Sequence, residues 1–453
     1  MSAVVTLHLH PEAAKNFDKM AEGLLSLVSA APVSGQEEQG FQPDIHPSAQ
    51  LTQKDIIGEI QLGFADYRGI ECGRSFEHDG KMFGLFDQAF KDLESLATRL
   101  HQTGEIRPYV SVRCLMGSGF QWVKKRYRGE TDESFTGFVL RECGEQIKDS
   151  EIWLPLFKVY LQTELTVGRI TFRTLTREML DPWFERITNK LPQELQARGQ
   201  ESLRRTRSRF QGCAAATIAL TAEPLRAQEL ASREAEYSIA ALRFFHGANS
   251  SPYLRCYCTI NGTESFSSIS TLWVKAGRIE TWSDHSADTG GSVWTLPEDA
   301  IRELRKSGLD AMSQLLIKEN KSAFERDLLD AILIYSRNSL FNDPANRLIY
   351  ILAAVESILL RDNNEPIQKN IAERLAFVVG TTTEERIVIR NNVTQVYAVR
   401  SAFLHHGRPL AEMEALEVFM QHVWRGFVAL IYDMNKFRTK GDLIEALERR
   451  KME

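Results

Sequence analysis

A chain of 453 residues has room for two or three domains, and 43% hydrophobic with 25% charged residues is the balance of a soluble globular protein. A net charge of −5 supplies no global basic field, so any affinity for nucleic acid has to come from local patches. There is no uninterrupted apolar run of about eighteen residues and no basic stretch leading into an apolar one at the start, so neither a membrane span nor a secretory leader is expected, and the reading is cytoplasmic.

Six cysteines, Cys72, Cys114, Cys143, Cys213, Cys256 and Cys258, are scattered without the paired spacing of a zinc site. Buried free thiols in a reducing compartment are expected, with no structural metal and no cofactor. Residues 1–50 read as a strand near 4–9, a short helix near 11–29, and a loop marked by Pro32, Gly35, Gly40, Pro43 and Pro47. From 56 to about 175 the signal is mostly β: 56–60, 109–114, 119–124, 135–140 and 156–164 are strand candidates, interrupted by a helix at 85–102.

Residues 176–245 turn helical, with segments at 178–190 and 223–245. Strands are expected again at 254–260, 268–274 and 278–282. Trp273, Trp282 and Trp294 fall in this stretch, where aromatic packing is the ordinary reading and a base-stacking platform the sharper one. The fold class is thus α+β and multidomain. A β-rich N-terminal domain is expected over 1–210, a mixed region over 211–297 that can belong to it, and a helical bundle over 298–453.

That last part is helix after helix. Leu328, Leu329, Ile332, Leu333 and Tyr335 make one apolar face, and Leu348, Ile351, Leu352, Val355, Ile358 and Leu359 another. Pro366 and Gly380 bound a third helix, and a fourth runs from Thr383 to the segment Arg400-Ser401-Ala402-Phe403-Leu404-His405-His406-Gly407, before Pro409. A fifth covers 411–435, and 441–450 closes the set. Short loops between striped helices argue for an up-and-down bundle. Arg400 stands on the stripe of Val393, Val396, Phe403 and Leu404, and a charge there needs a partner, a ligand or a second subunit. Glu356, beside the stripe of the second helix, is the candidate partner.

Arg400-x4-His405 resembles the short signature of the HEPN superfamily. Tyr397-Ala398-Val399 before it, Gly407 after it, Ala354-Val355-Glu356-Ser357 and Glu373-Arg374-Leu375-Ala376 resemble the Apea-like HEPN subgroup, over about the last third of the chain. The resemblance implies a HEPN-like bundle that dimerises and acts as a metal-independent endoribonuclease. Arg400 would hold the scissile phosphate and His405 would transfer protons. Histidine suits that work because its pKa lies near working pH, and arginine because it stays charged and grips two oxygens. Ser401 stands where many members carry Asn, Asp or His. His406, Ser401, Glu356 and Tyr397 are supporting candidates, Arg374 and Tyr397 being second-tier, and His406 reads equally as a helix-terminal histidine favoured by the dipole.

Five residues of helix separate Arg400 from His405 by about 140° around the axis and about 7.5 Å along it, so one copy presents the pair poorly to a single phosphate. Two copies across a two-fold axis would assemble a composite site. The resemblance also implies a role in anti-phage defence by abortive infection, with a phage or cellular trigger sensed by the N-terminal region. Two basic runs, Lys124-Lys125-Arg126 and Arg204-Arg205-Thr206-Arg207, offer weak RNA contacts, although a solvated face is the plainer reading of each. The alternative function is a catalytically inactive HEPN module that dimerises and binds nucleic acid or nucleotide.

Overall fold

A computed structural model describes residues 5–31, 62–66, 68–190, 192–263, 268–275, 278–286, 293–362, 364–406 and 413–452; side chains at 62, 183, 184, 187, 188, 194, 268–275, 278–286 and 403–406 lie outside that description. Helix and strand are mixed, with a small N-terminal sheet and a helical C-terminal part. The chain divides into two units, Met1–Glu151 with Ala219–Leu230, and Ile152–Ile218 with Ala231–Glu453. This division does not run at 210 or 297, because the chain passes between the units more than once. None of the described helices is long and apolar enough to cross a membrane.

In the first unit, helix α1 (Pro11–Leu25) precedes an antiparallel sheet of β1 (Ser29–Ala30), β2 (Leu62–Ala65), β3 (Glu71–His78) and β4 (Lys81–Phe86), in the order β1-β4-β3-β2. Asp79 and Gly80 join β3 to β4 with φ of 52° and 69°, a left-handed pair that Asp-Gly tolerates well. Helices α2 (Asp87–His101), α3 (Val112–Tyr127) and α4 (Phe135–Gln146) pack with α1 around Phe17, Leu93, Phe120, Trp122 and Phe138, all buried.

Three expected strands are helical here. The runs at 109–114, 119–124 and 135–140 belong to α3, α4 and the turn before α3. Ser111 and Ser134 are the reason: each hydroxyl accepts from a backbone N–H of the following turn, Cys114 at 3.1 Å and Gly137 at 3.2 Å, and so starts a helix. Gly119 is no boundary. It lies inside α3, where an added Cβ would meet Leu93 Cδ1 at 3.1 Å and Phe135 Cε2 at 3.3 Å, so its missing side chain lets neighbouring helices close on α3. The region is therefore helix-rich as well as sheet-bearing. Residues 5–9 are irregular, and the strand expected at 56–60 lies outside the described residues.

The second unit carries β6 (Val159–Leu161), β7 (Leu165–Val167), β8 (Ile170–Thr174), α5 (Arg177–Thr188), α6 (Gln193–Phe210), the hairpin β10 (Ser268–Lys275) and β11 (Arg278–Ser286), and β12 (Trp294–Leu296), which pairs in parallel with β6. Strands β5 (Lys148–Pro155) and β9 (Ala214–Ala222) complete a sheet ordered β5-β9-β8-β7, and α7 (Pro224–Phe244) follows β9. Helices α8 (Glu298–Leu304) and α9 (Asp310–Ile317) lead into α10 (Ala323–Ser336), α11 (Pro344–Leu359), α12 (Ile367–Val379), α13 (Thr383–His406), α14 (Met413–Asp433) and α15 (Lys440–Met452). A capping box of Ser322 and Glu325 starts α10, and Asp343 followed by Pro344 starts α11. The apolar stripe expected on α11 is buried from Leu348 to Leu359, and α11, α12, α13 and α14 pack on one another.

Residues 254–260, expected as a strand, pair with no strand among the described residues beyond a bridge of Leu156 with Ile260. Their neighbourhood is instead held by side chains. Arg347, fully buried, donates to the carbonyls of Pro252 and Leu254 at 2.9 Å each and to that of Ala248. Arg243 donates to the carbonyls of Ser336 and Cys258, the Tyr335 hydroxyl to that of Asn249 at 2.6 Å, and the Asn338 amide to the Asn249 side chain at 2.8 Å. Carbonyls that a sheet would have satisfied are met by guanidinium and amide donors.

Candidate functional site

Helix α13 starts where Thr382 accepts from the N–H of Glu385 at 3.2 Å and the Glu385 carboxylate accepts from the N–H of Thr381 at 2.7 Å. Ile389, Val393, Val396 and Tyr397 bury one face against the bundle, and the amide of buried Asn392 donates to the Ala415 carbonyl at 2.9 Å. This fixes the rotation of the helix about its axis, and with it the direction of every later side chain.

Tyr397 donates its hydroxyl to Glu356 Oε1 at 2.8 Å, so α13 is tied to α11 at the candidate site. Burial first, and the Glu356 charge second, push the phenol well above its usual range, while Arg400 pulls the other way. The guanidinium is thus near enough to be felt at the hydroxyl. The expected pairing of Arg400 with Glu356 gives way to this contact: Tyr397 sits one turn earlier and takes the carboxylate. Arg400 itself is half-buried, and among the described residues it has no hydrogen bond or ion pair. Ser401 is exposed one position on. His405 and His406 belong to the described backbone of α13, but their side chains, and Gly407 altogether, lie outside the described residues.

Arg374 has a different fate. It is 3% exposed and grips both oxygens of Glu365, at 2.6 and 2.8 Å, and the Leu359 carbonyl at 2.7 Å. It is neither at the Arg400 cluster nor a solvated helix residue; it locks α12 to the connection that leaves α11. The guanidinium beside Glu365 holds that carboxyl down to about 2.

The basic runs make contacts within their own units. Lys124 is buried, Lys125 lies over the Phe138 ring at 5.2 Å, and Arg126 reaches Asp132 at 2.7 Å. Arg204 and Arg205 share Glu201, at 2.8 and 2.9 Å, and Arg207 bonds Asp181. Trp294 meets His246 edge-on at 4.8 Å, while the side chains of Trp273 and Trp282 lie outside the described residues. Cysteine spacing did not announce that Cys114 and Cys143 meet, with Sγ atoms 3.5 Å apart in the buried interior of the first unit. Packing of α3 on α4 brings them together.

No protein-family model, no curated protein and no solved structure matches this chain.

Proposed function

We propose that the protein is a metal-independent endoribonuclease of HEPN type that cuts single-stranded RNA at a site assembled by two copies of its C-terminal bundle. The observation that supports this reading is the state of Arg400. It is a permanent cation beside the contact of buried Tyr397 with half-buried Glu356, and its own guanidinium is uncommitted among the described residues. An arginine kept for folding would resemble Arg374, buried and gripped by a carboxylate.

RNA carries its own nucleophile. The ribose 2′-hydroxyl loses a proton and its oxygen attacks the adjacent phosphorus; the bond to the 5′-oxygen breaks, and that oxygen takes up a proton. The products are a 2′,3′-cyclic phosphate and a 5′-hydroxyl. Arg400 bonds the non-bridging phosphate oxygens as charge develops on them. His405, one copy as base and the other as acid, moves the two protons. Glu356 acts through Tyr397, fixing the helix face from which Arg400 projects, and Ser401 and His406 assist at the rim. In this reading the N-terminal region answers a phage or cellular trigger, and RNA damage halts the infected cell.

Incubating the full chain with a mixed single-stranded RNA in EDTA and analysing the new ends tests this. Cyclic phosphate and 5′-hydroxyl ends are expected; 5′-phosphate ends, or cutting only when a divalent ion is restored, would rule the chemistry out.

A further inference from the structure

A cleft of about 330 Å³ lies within the second unit, lined by α7, by the end of α10 with the turn after it, and by residues 259–263. Arg233, Glu236, Tyr237 and Arg243 recur at helical spacing, so one face of α7 forms a wall. Arg337 faces them from the turn after α10. The charged lining is three guanidinium groups against one carboxylate, Glu236.

Two features separate this cleft from an ordinary charged surface. Arg337 is exposed and has no hydrogen bond or ion pair among the described residues, and Arg233 has only Glu234 at 4.0 Å. Arg204, Arg205 and Arg207 of α6, by contrast, are matched to Glu201 and Asp181 at bonding distance. The second feature is Thr259. It is 5% exposed, lines the cleft, and its hydroxyl is buried without a hydrogen-bond partner among the described residues. A buried hydroxyl left unmet is costly, and native structures keep few of them. Tyr237 leaves 42% of its surface open beside these groups.

We propose that the cleft binds a small organic phosphate of mononucleotide size. Arg233 and Arg337 fork onto the phosphate, the Thr259 hydroxyl donates to it, and Arg243, anchored to the Ser336 and Cys258 carbonyls, holds positive charge at the buried end. The base lies on the Tyr237 ring, which suits any base because each has a flat face. The volume falls at the lower end of the range of about 300–1,000 Å³ usual for small-molecule sites. The inference stands apart from RNA cleavage, since Arg400 and His405 are not in this lining.

Calorimetric titration of the full chain with the four ribonucleoside 5′-monophosphates, and with ribose 5-phosphate, tests it. At least one monophosphate is expected to bind saturably. Arg337→Gln should weaken it about ten-fold or more, Tyr237→Ala should weaken the nucleotide more than ribose 5-phosphate, and Arg450→Gln, on the exposed side of α15, should bind as the unaltered chain does. No saturable binding of any of the four at millimolar concentration, or unchanged affinity in Arg337→Gln, would overturn the proposal.

Discussion

Arg374 and Arg400 both stand on helix faces that look toward the bundle, yet their surroundings ask different things of them. Arg374→Ala strands Glu365 and the Leu359 carbonyl, and a loss of about 3–5 kcal/mol in urea unfolding is expected. Arg400→Ala should change stability by less than about 1 kcal/mol while lowering RNA cleavage at least about a hundred-fold; equal losses in both assays would make Arg400 a folding residue. Glu365 adds a pH signature. Its carboxyl is held at about 2 in the fold against an ordinary 4.5, so its contribution is complete above 4.5 and lost as pH falls toward 2. Unfolding midpoints measured from pH 5 down to 2 should fall less steeply in Glu365→Gln than in the unaltered chain. Helical spacing placed Arg400 on its stripe, but it did not choose the partner of either arginine. That choice depends on the path of the α11–α12 connection, which brings Glu365 back to Arg374, and on Tyr397 reaching Glu356 first.

The long helices were legible because an apolar residue recurs every three or four positions along them. Residues 367–379 and the stripe of α11 needed no tertiary information. Helices α3 and α4 were not legible. Short runs of Val, Phe and Leu satisfy a strand pattern too, and only the serine caps and the close approach of α2 and α4 at Gly119 decide between them. The segment 254–260 was misread for the opposite reason. Among the described residues it pairs with no strand beyond the bridge at Ile260, but Arg347 and Arg243 meet its Leu254 and Cys258 carbonyls, and nothing local in a sequence marks an arginine that serves carbonyls. Arg347→Leu should accordingly cost about 3 kcal/mol or more in chemical denaturation, since several buried carbonyls lose their donor at once. His246, in the same region, accepts from the N–H of Ala248 at 2.9 Å, and burial, then the Arg347 charge, lowers it to about 4. The unfolded chain takes up that proton first, so stability is full above pH 6.5 and declines as pH falls to about 4, by at most about 3 kcal/mol. His246→Gln, which keeps an acceptor for the Ala248 N–H, should flatten the decline between pH 6.5 and 4; an unaltered slope would assign it to other groups.

For the whole molecule, a net charge of −5 leaves any RNA affinity to local groups. Lys125 and Arg126 are engaged with a ring and a carboxylate, while Arg204 and Arg205 pair with Glu201 yet stay 77% and 78% exposed. A composite site built from two bundles also ties activity to association. Specific activity should fall as the protein is diluted through its dimer dissociation range, and activity independent of concentration in a demonstrated monomer would remove the two-copy arrangement. The most direct single measurement compares cleavage of single-stranded RNA in EDTA by the unaltered chain and by His405→Ala, with melting curves taken in parallel. The account predicts that the substitution abolishes cutting and leaves the melting curve in place. Equal cleavage by both proteins would contradict it and take the proton-transfer chemistry away from His405.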